Sequence, residues 1–177
     1  KPYREWLTAS AYEARCSVGG SYVPQNIEGY YTTPWDLGYG SFVKFDHDFT
    51  GKEALEKIAQ NPRRKKVTLA WNGEDVTKVI GSMFQKGDAY KTIDLPLTNY
   101  ASLSYDKAMK NGKMIGFSTF SSYSYNERTM LSLAILDVDQ TEVGNQISLV
   151  WGEEGGGSSK PTVERHKQIE IRATVGP

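Results

Sequence analysis

Ile169-Glu170-Ile171-Arg172-Ala173-Thr174-Val175 alternates apolar and polar side chains without a break. Successive side chains on a strand point to opposite faces, so this run predicts a strand with one dry and one wet face. The same period of two recurs upstream. Val67, Leu69 and Trp71 alternate with Lys66, Thr68 and Ala70, and Ile147, Leu149 and Trp151 alternate with Gln146, Ser148 and Val150. Residues 131–136 are apolar on both faces except at Ser132, which predicts a central or covered strand. Asn111-Gly112, between residues 105–110 and 114–120, is a dipeptide that two-residue hairpin turns prefer. Short strands separated by turns predict an antiparallel barrel or sandwich from about residue 63 to residue 175. A short helix interrupts it, because Val76, Val79, Ile80, Met83 and Phe84 fall at helical spacing.

The first third of the chain has another texture. Trp6, Tyr12, Tyr22, Tyr30, Tyr31, Trp35 and Tyr39 are concentrated there. Thr33-Pro34-Trp35-Asp36-Leu37-Gly38-Tyr39-Gly40 predicts a helix end and a tight glycine turn, followed by a strand over residues 41–45. Thr50 and Glu53 have the S/T-x-x-E spacing of a capping box that opens a helix. Ala54, Leu55, Ile58 and Ala59 share one face of that helix, and Asn61-Pro62 is expected to stop it. The change of period sets a boundary near residues 60–64.

The chain has 177 residues, with 21 Lys+Arg against 21 Asp+Glu and a net charge of zero. A nucleic-acid protein usually needs a basic surplus, so none is expected as a partner. No apolar run approaches a membrane span, and no leader pattern is visible, so no membrane partner is expected. Cys16 is the single cysteine and cannot form an internal disulfide, which fits a cytoplasmic setting. The chain opens on Lys1-Pro2-Tyr3 and ends on Gly176-Pro177 directly after a strand pattern, so a piece of a longer protein is expected. Homo-oligomerisation is left open.

Several motifs admit a chemical reading beside a plainer one. Gly155-Gly156-Gly157-Ser158-Ser159-Lys160 lacks P-loop spacing and reads as a loop between late strands. Asp46-His47-Asp48 reads as a surface turn, since His166 is distant in sequence, and no metal site is expected. Cys16 has no evident neighbouring base and reads as a small buried thiol. Arg63-Arg64-Lys65-Lys66 reads as a solvated linker, with an anion patch as the functional version. Ser118-Thr119-Phe120-Ser121-Ser122-Tyr123-Ser124-Tyr125-Asn126-Glu127-Arg128 reads as a long polar and aromatic loop, the kind of segment on which binding groups are often mounted.

The order and spacing of residues 33–40 and of Asp48-Phe49-Thr50-Gly51-Lys52-Glu53-Ala54-Leu55 resemble the glycine-cleavage T-protein (aminomethyltransferase) family. There a T/S-P-x-x-x-G-x-G segment precedes D-F-x-G-K/R-x-A-L. Glu13-Ala14-Arg15-Cys16-Ser17-Val18-Gly19-Gly20 takes the place of the family's L-R-L-E-A-G segment, with Arg15 on its arginine and Ser17 in place of its glutamate. Residues 116–137 resemble the family's barrel segment, with Ser121, Ser122 and Arg128 on its pattern. Departures at Tyr123-Ser124-Tyr125, at Val150-Trp151-Gly152-Glu153 and at Lys160-Pro161-Thr162-Val163-Glu164 look closer to the tetrahydrofolate-dependent O-demethylases of methoxylated aromatic acids such as vanillate and syringate.

The resemblance implies an α+β chain. Residues 1–62 would be the remnant of an α/β folate-binding domain, and residues 63–177 an antiparallel β-barrel of Greek-key or jelly-roll kind. It implies tetrahydrofolate and a small methyl donor as partners of the full-length protein, with Arg15, Ser121, Ser122, Tyr123 and Arg128 as cofactor-binding residues. The implied reaction is methyl transfer: N5 of tetrahydrofolate attacks the methyl carbon while a protein acid protonates the departing phenolate oxygen. The resemblance puts the catalytic groups in the preceding domain, so this chain alone is expected to be inactive. The alternatives are an aminomethyltransferase of glycine cleavage and a non-catalytic barrel for partner contact.

Overall fold

The computed structural model describes residues 18–97, 103–157 and 163–176. Its strands are β1 (Val18–Gly19), β2 (Arg64–Trp71), β3 (Leu103–Lys110), β4 (Lys113–Ser124), β5 (Thr129–Asp137), β6 (Gln146–Trp151) and β7 (Ile169–Gly176). Two α-helices, α1 (Lys52–Gln60) and α2 (Gly73–Ser82), accompany them. The strands hydrogen-bond in the order β3-β4-β5-β2-β7-β6, and β6 returns to β3 through Ala108↔Leu149 and Met109↔Ser148. The sheet is therefore a closed six-stranded antiparallel barrel. Closure removes the free edges that an open sheet would expose. The short β1 is an appendage, parallel to the start of β3.

Alternation does what the sequence predicts. Leu69, Trp71, Leu149, Trp151, Ile171 and Val175 point into one interior core. Trp71 and Trp151 meet edge-on there, with ring centroids 5.5 Å apart. Buried indole N–H groups need acceptors. Trp71 Nε1 donates to Ser132 Oγ at 2.9 Å, and Trp151 Nε1 donates to the Lys91 carbonyl at 2.8 Å. Asn111 (φ 50°) and Gly112 (φ 75°) turn the β3–β4 hairpin with both residues at positive φ, as a type I′ turn requires. β5 lies between β4 and β2, the central place its apolar run predicts.

The element α2 begins earlier and ends earlier than its apolar spacing suggests. Asn72 Oδ1 accepts the Asp75 amide at 3.1 Å and caps the helix, and Val76 and Val79 enter the barrel core. Arg172 clamps the same end with a forked pair of 2.9 Å bonds to Asp75, from Nε to Oδ2 and from Nη2 to Oδ1. Met83 and Phe84 fall beyond the helix, in the following turn.

Three local expectations are corrected. Residues 41–45 are not a strand: Gly40–Phe42 form one turn of 3-10 helix, closed by bonds from the Phe42 amide to Tyr39 O and from the Val43 amide to Gly40 O. Gly40 lies against the Trp35 ring, where a Cβ would stand 2.5 Å from a ring carbon, so the chain folds back on itself instead of extending. The Thr50–Glu53 capping box does not form, because Gly51 (φ 89°) is the N-cap and the helix starts one residue later. Thr50 and Glu53 therefore miss the positions from which they could bridge. The loop expected over residues 118–128 is mostly strand: β4 continues to Ser124, and residues 125–128 alone make the turn. Phe120, at φ 49°, is a bulge between Thr119 and Ser121, which breaks the period of two that would have revealed the strand. Ser132, the polar exception in the apolar run of β5, is buried. It faces the interior, where Ser118 Oγ lies 2.8 Å from its hydroxyl, while Leu133 faces outward.

Helix α1 ends at Gln60, just before Asn61-Pro62, but none of its residues is fully buried. Its Leu55, Ile58 and Ala59 are only half covered, and Ala54 is exposed.

Gly116 has φ 149°, and a Cβ there would collide with the backbone of Ile135 and Leu136 on β5. Gly112 has open space around it. Gly116→Ala is expected to cost more than about 2 kcal/mol, and Gly112→Ala about 1 kcal/mol. Urea unfolding of the two variants measures this, and equal small losses would contradict the register of β4 on β5.

Candidate functional site

The region with the most polar chemistry lies where β1 meets the barrel. Here the backbone of residues 18–22 runs as a strap along the start of β3. Val18 and Gly19 pair with Leu103 and Ser104. Gly20 turns the strap at φ 95°, with no room for a Cβ against the Tyr105 backbone. Only glycine meets both demands at low cost. Tyr22 closes the strap with an amide bond of 2.9 Å to the Tyr105 carbonyl, and its ring stacks on Phe117 at 4.9 Å.

Two buried carboxylates receive the amides of this strap. Glu153 Oε1 accepts the Gly20 N–H and the Lys91 ammonium, each at 2.9 Å. Asp106 Oδ1 accepts the Ser21 N–H at 3.1 Å. Ser21 Oγ donates to the Val150 carbonyl at 2.5 Å and accepts the Lys107 amide at 2.8 Å, so the strap also ties β6 to β3. Lys91 is fully buried, and its ammonium lies 5.3 Å from the centre of the Trp151 ring. His166 Nε2 accepts the Glu153 amide at 3.0 Å, which leaves the ring proton on Nδ1 to donate to the Glu164 carbonyl at 2.8 Å. His166 Nε2 also stands 3.1 Å from Glu153 Oε2, and in this tautomer that oxygen receives no hydrogen bond.

The charges here are unequal in their support. Burial pushes the Glu153 carboxyl up, but the Gly20 amide and Lys91 outweigh it and hold the group below its ordinary value. Asp106 is more deeply buried, and Lys91 bonds to Glu153 rather than to it. Burial pushes its carboxyl up to about 7, against the pull of Lys91 and the Ser21 and Gly152 amides and with the repulsion of Glu153. Protonating Asp106 leaves one cation and one anion in the cluster, which is the cheaper state for a buried site.

The residues singled out in the sequence are dispersed. Arg15 lies outside the described residues. Ser121 and Tyr123 lie on the interior side of β4: Ser121 is buried opposite Ser132, and Tyr123 packs on the barrel core. Ser122 bridges to Leu97. Arg128 is exposed in the turn before β5 at φ 50°. Around this hairpin Leu95, Leu97, Phe120, Tyr125 and Leu133 are exposed, Tyr125 to 84%. Of the basic run, Arg64 is committed to the fold: its Nη2 bonds Asp36 Oδ2 at 3.0 Å and the Tyr31 carbonyl at 3.1 Å. Arg63 and Lys57 flank a cleft of about 370 Å³ that Thr33, Asp36, Ile58 and Asn61 also line. His47 pairs with Asp46 at the surface, and among the described residues no group of three or more His, Cys, Asp or Glu side chains is arranged to hold a metal.

Sequence reasoning missed the Glu153 cluster. One signal was present: Asp106 occupies an inward position of β3, in phase with Ser104 and Ala108, where a charge is out of place.

The chain is 50% identical over 175 residues to syringate O-demethylase from Sphingobium sp., a match that covers 99% of this chain and 38% of that protein. It is 34% identical to sesamin methylene transferase from Sinomonas sp., over 87% of this chain and 34% of the relative. An aminomethyltransferase from Thermotoga sp. is 28% identical over 68% of the chain and 26% of its own length. The chain belongs to the T-protein (aminomethyltransferase) family. No family model matches it. It spans about a third of the length of the first two relatives. All three relatives are named for moving or removing a one-carbon group. In this T-protein-like chain the strap of residues 18–22 is the first described segment, and it is seated on the barrel.

Asp106 gives the fold a signed pH dependence. Its pKa is raised on folding, so between about 4 and about 7 the folded state keeps a proton that the unfolded state has lost. The stability it contributes is complete below that window and is lost as pH rises through it. Glu153 has the opposite sign, and its contribution is lost at acid pH. Between pH 5 and 7 the Asp106 effect is therefore the one to read. Urea unfolding is expected to show stability falling over this range, by on the order of a few kcal/mol at most, with the slope reduced in Asp106→Asn. An unchanged slope in the variant would contradict the assignment.

Proposed function

We propose that this chain is the C-terminal portion of a tetrahydrofolate-dependent O-demethylase that moves a methyl group from a methoxylated aromatic acid to tetrahydrofolate. The observation that carries the reading is the 50% identity to syringate O-demethylase across 99% of the chain. Tetrahydrofolate supplies a nucleophilic nitrogen as methyl acceptor. The residues here bind and orient; the acid that serves the leaving oxygen belongs to the longer protein. The isolated chain is inactive under this proposal. A cytoplasmic setting, in keeping with a lone Cys16, is part of the same reading.

The described residues fit the outer parts of such a ligand. Lys57 and Arg63 stand at an open cleft and suit the carboxylates of a glutamate tail. Arg15 is assigned to the folate from the preceding segment. Ser122 and Arg128 are assigned to the same side, on the hairpin whose exposed Phe120 and Tyr125 bring apolar area to an interface with the folate domain. Ser121 and Tyr123 support this hairpin from within the barrel. Residues 1–62 are assigned to the folate domain and residues 63–177 to the barrel that covers it.

A second reading, transfer of a methylene unit from a methylenedioxyphenyl compound, draws on the 34% identity to sesamin methylene transferase. The full-length protein incubated with tetrahydrofolate and, separately, syringate, vanillate and sesamin separates the two. Methyltetrahydrofolate from a methoxylated acid is expected. Turnover of sesamin alone would favour the second reading, and turnover of none would remove both. In the same protein, Phe120→Ser with Tyr125→Ser is expected to lower turnover at least about fivefold with little loss of stability, since both side chains are exposed. Unchanged turnover would return the hairpin to an ordinary surface connection.

A further inference from the structure

His166 stands beside the Glu153 anchor and has no part in the methyl-transfer reading. It is only 3% exposed, yet its residue lines a surface cleft of about 290 Å³ together with Asp88, Gly155, Gly156 and Arg165. Its ring is closely boxed: a Cβ on Gly152 would stand 3.0 Å from the imidazole Cδ2. Within that box Nε2 has two partners and can serve one at a time. It is 3.0 Å from the Glu153 amide nitrogen and 3.1 Å from Glu153 Oε2. Unprotonated, Nε2 accepts the amide, and the buried Oε2 receives no hydrogen bond. Protonated, Nε2 becomes a donor, so it can satisfy Oε2 and can no longer accept the amide. Nδ1 faces the Glu164 carbonyl at 2.8 Å and donates to it in both states, so the ring has no need to turn over. The bond gained is charge-assisted and the bond lost is neutral.

Each partner leads to a different part of the chain. Glu153 Oε1 holds the Gly20 amide of the strap and the Lys91 ammonium, each at 2.9 Å. The Glu153 amide opens the glycine-rich loop of residues 152–157, which the His166 amide closes with a 2.8 Å bond to the Gly156 carbonyl. Gly152, Gly155 and Gly156 are all at positive φ, where glycine moves between conformations at little steric cost. The charged groups around the ring come from every side. Glu153 follows β6, and Lys91 and Asp88 come from the connection after α2. Asp106 on β3 acts on the same Lys91 and Glu153 charges, and Glu164, Arg165 and Lys167 belong to the segment of His166 itself. Glu153 alone places a carboxylate oxygen against Nε2.

We propose that His166 is a proton-operated switch: taking up a proton turns its Nε2 from acceptor of the Glu153 amide into donor to Glu153 Oε2, which secures the carboxylate that anchors the strap and releases the glycine-rich loop of residues 152–157. The two arrangements use the same atoms and differ by one proton, the condition for a local electrostatic event to bias a two-state element. Imidazoles ordinarily titrate between about pH 5 and about pH 8, where the exchange can be read on a folded protein.

The test uses the full-length protein with nitrogen-15 in its histidines, and His166→Gln, whose amide oxygen can accept a hydrogen bond and whose side chain takes up no proton. The imidazole nitrogen shifts report the tautomer and the charge of His166. Hydrogen exchange, corrected for the intrinsic effect of pH, reads the amides of residues 153–157 and of the strap. The shifts are expected to show the proton on Nδ1 at about pH 8 and on both nitrogens at about pH 5. Over the same interval residues 153–157 are expected to lose at least about tenfold in protection, while the Gly20 amide and strand β5 keep theirs. His166→Gln is expected to hold the loop protection constant with pH. Protection that falls equally in the variant would belong to Asp106 and would overturn the proposal. So would protection that ignores the imidazole titration, a proton on Nε2 at about pH 8, or a ring that stays neutral until the barrel unfolds. If His166→Gln does not fold, the wild-type protein decides alone: loop exchange must follow the imidazole titration midpoint, and exchange that does not follow it overturns the proposal.

Discussion

The contact on which the rest depends is the buried Glu153 carboxylate, held between the Lys91 ammonium and the Gly20 amide. It joins three parts of the chain that share no secondary structure: the strap, the connection after α2, and the end of β6. A buried charge without a partner costs several kcal/mol, so each of these parts constrains the others. Lys91 can be buried because Glu153 is there, and Glu153 is poised by an amide that only a tight glycine turn can deliver. His166 completes the cradle by accepting the Glu153 amide, which links β6 to the segment that leads into β7.

The barrel itself is held by more ordinary forces. Its interior is a continuous apolar core with two tryptophans whose N–H groups are satisfied by Ser132 and by the Lys91 carbonyl. The second of these bonds ties core to cluster, since the residue that pairs Glu153 also accepts from Trp151. Outside the barrel a smaller aromatic layer of Tyr22, Tyr30, Tyr105 and Phe117 covers Ile135 and seats the strap from the solvent side. The strap is thus held by polar bonds at Gly20 and Ser21 and by ring packing at Tyr22.

What was legible in the sequence was whatever local pattern determines. Ile171, Ala173 and Val175 declare a strand because their neighbours are polar, and Asn111-Gly112 declares a hairpin because both residues tolerate positive φ. The Phe120 bulge hid the second half of β4, since one extra residue shifts every later side chain to the other face. Thr50 and Glu53 had the right spacing at the wrong helix start. Ser132 stood out as the polar exception of β5, and its partners, Trp71 and Ser118, come from two other strands. Gly20 and Glu153 are 133 residues apart, and no local pattern pairs them. The cluster had to be found in three dimensions. The family resemblance came from motif order, which records ancestry without recording these contacts.

A double-mutant cycle on Lys91 and Glu153 tests the central claim most directly. Lys91→Met and Glu153→Gln each strand a buried partner, so each alone is expected to destabilise the protein by about 3–5 kcal/mol. The double variant leaves no charge unpaired and is expected to recover at least about 2 kcal/mol of the summed loss. Losses that simply add would mean that the two side chains do not depend on each other, and the account of the strap and its anchor would be wrong.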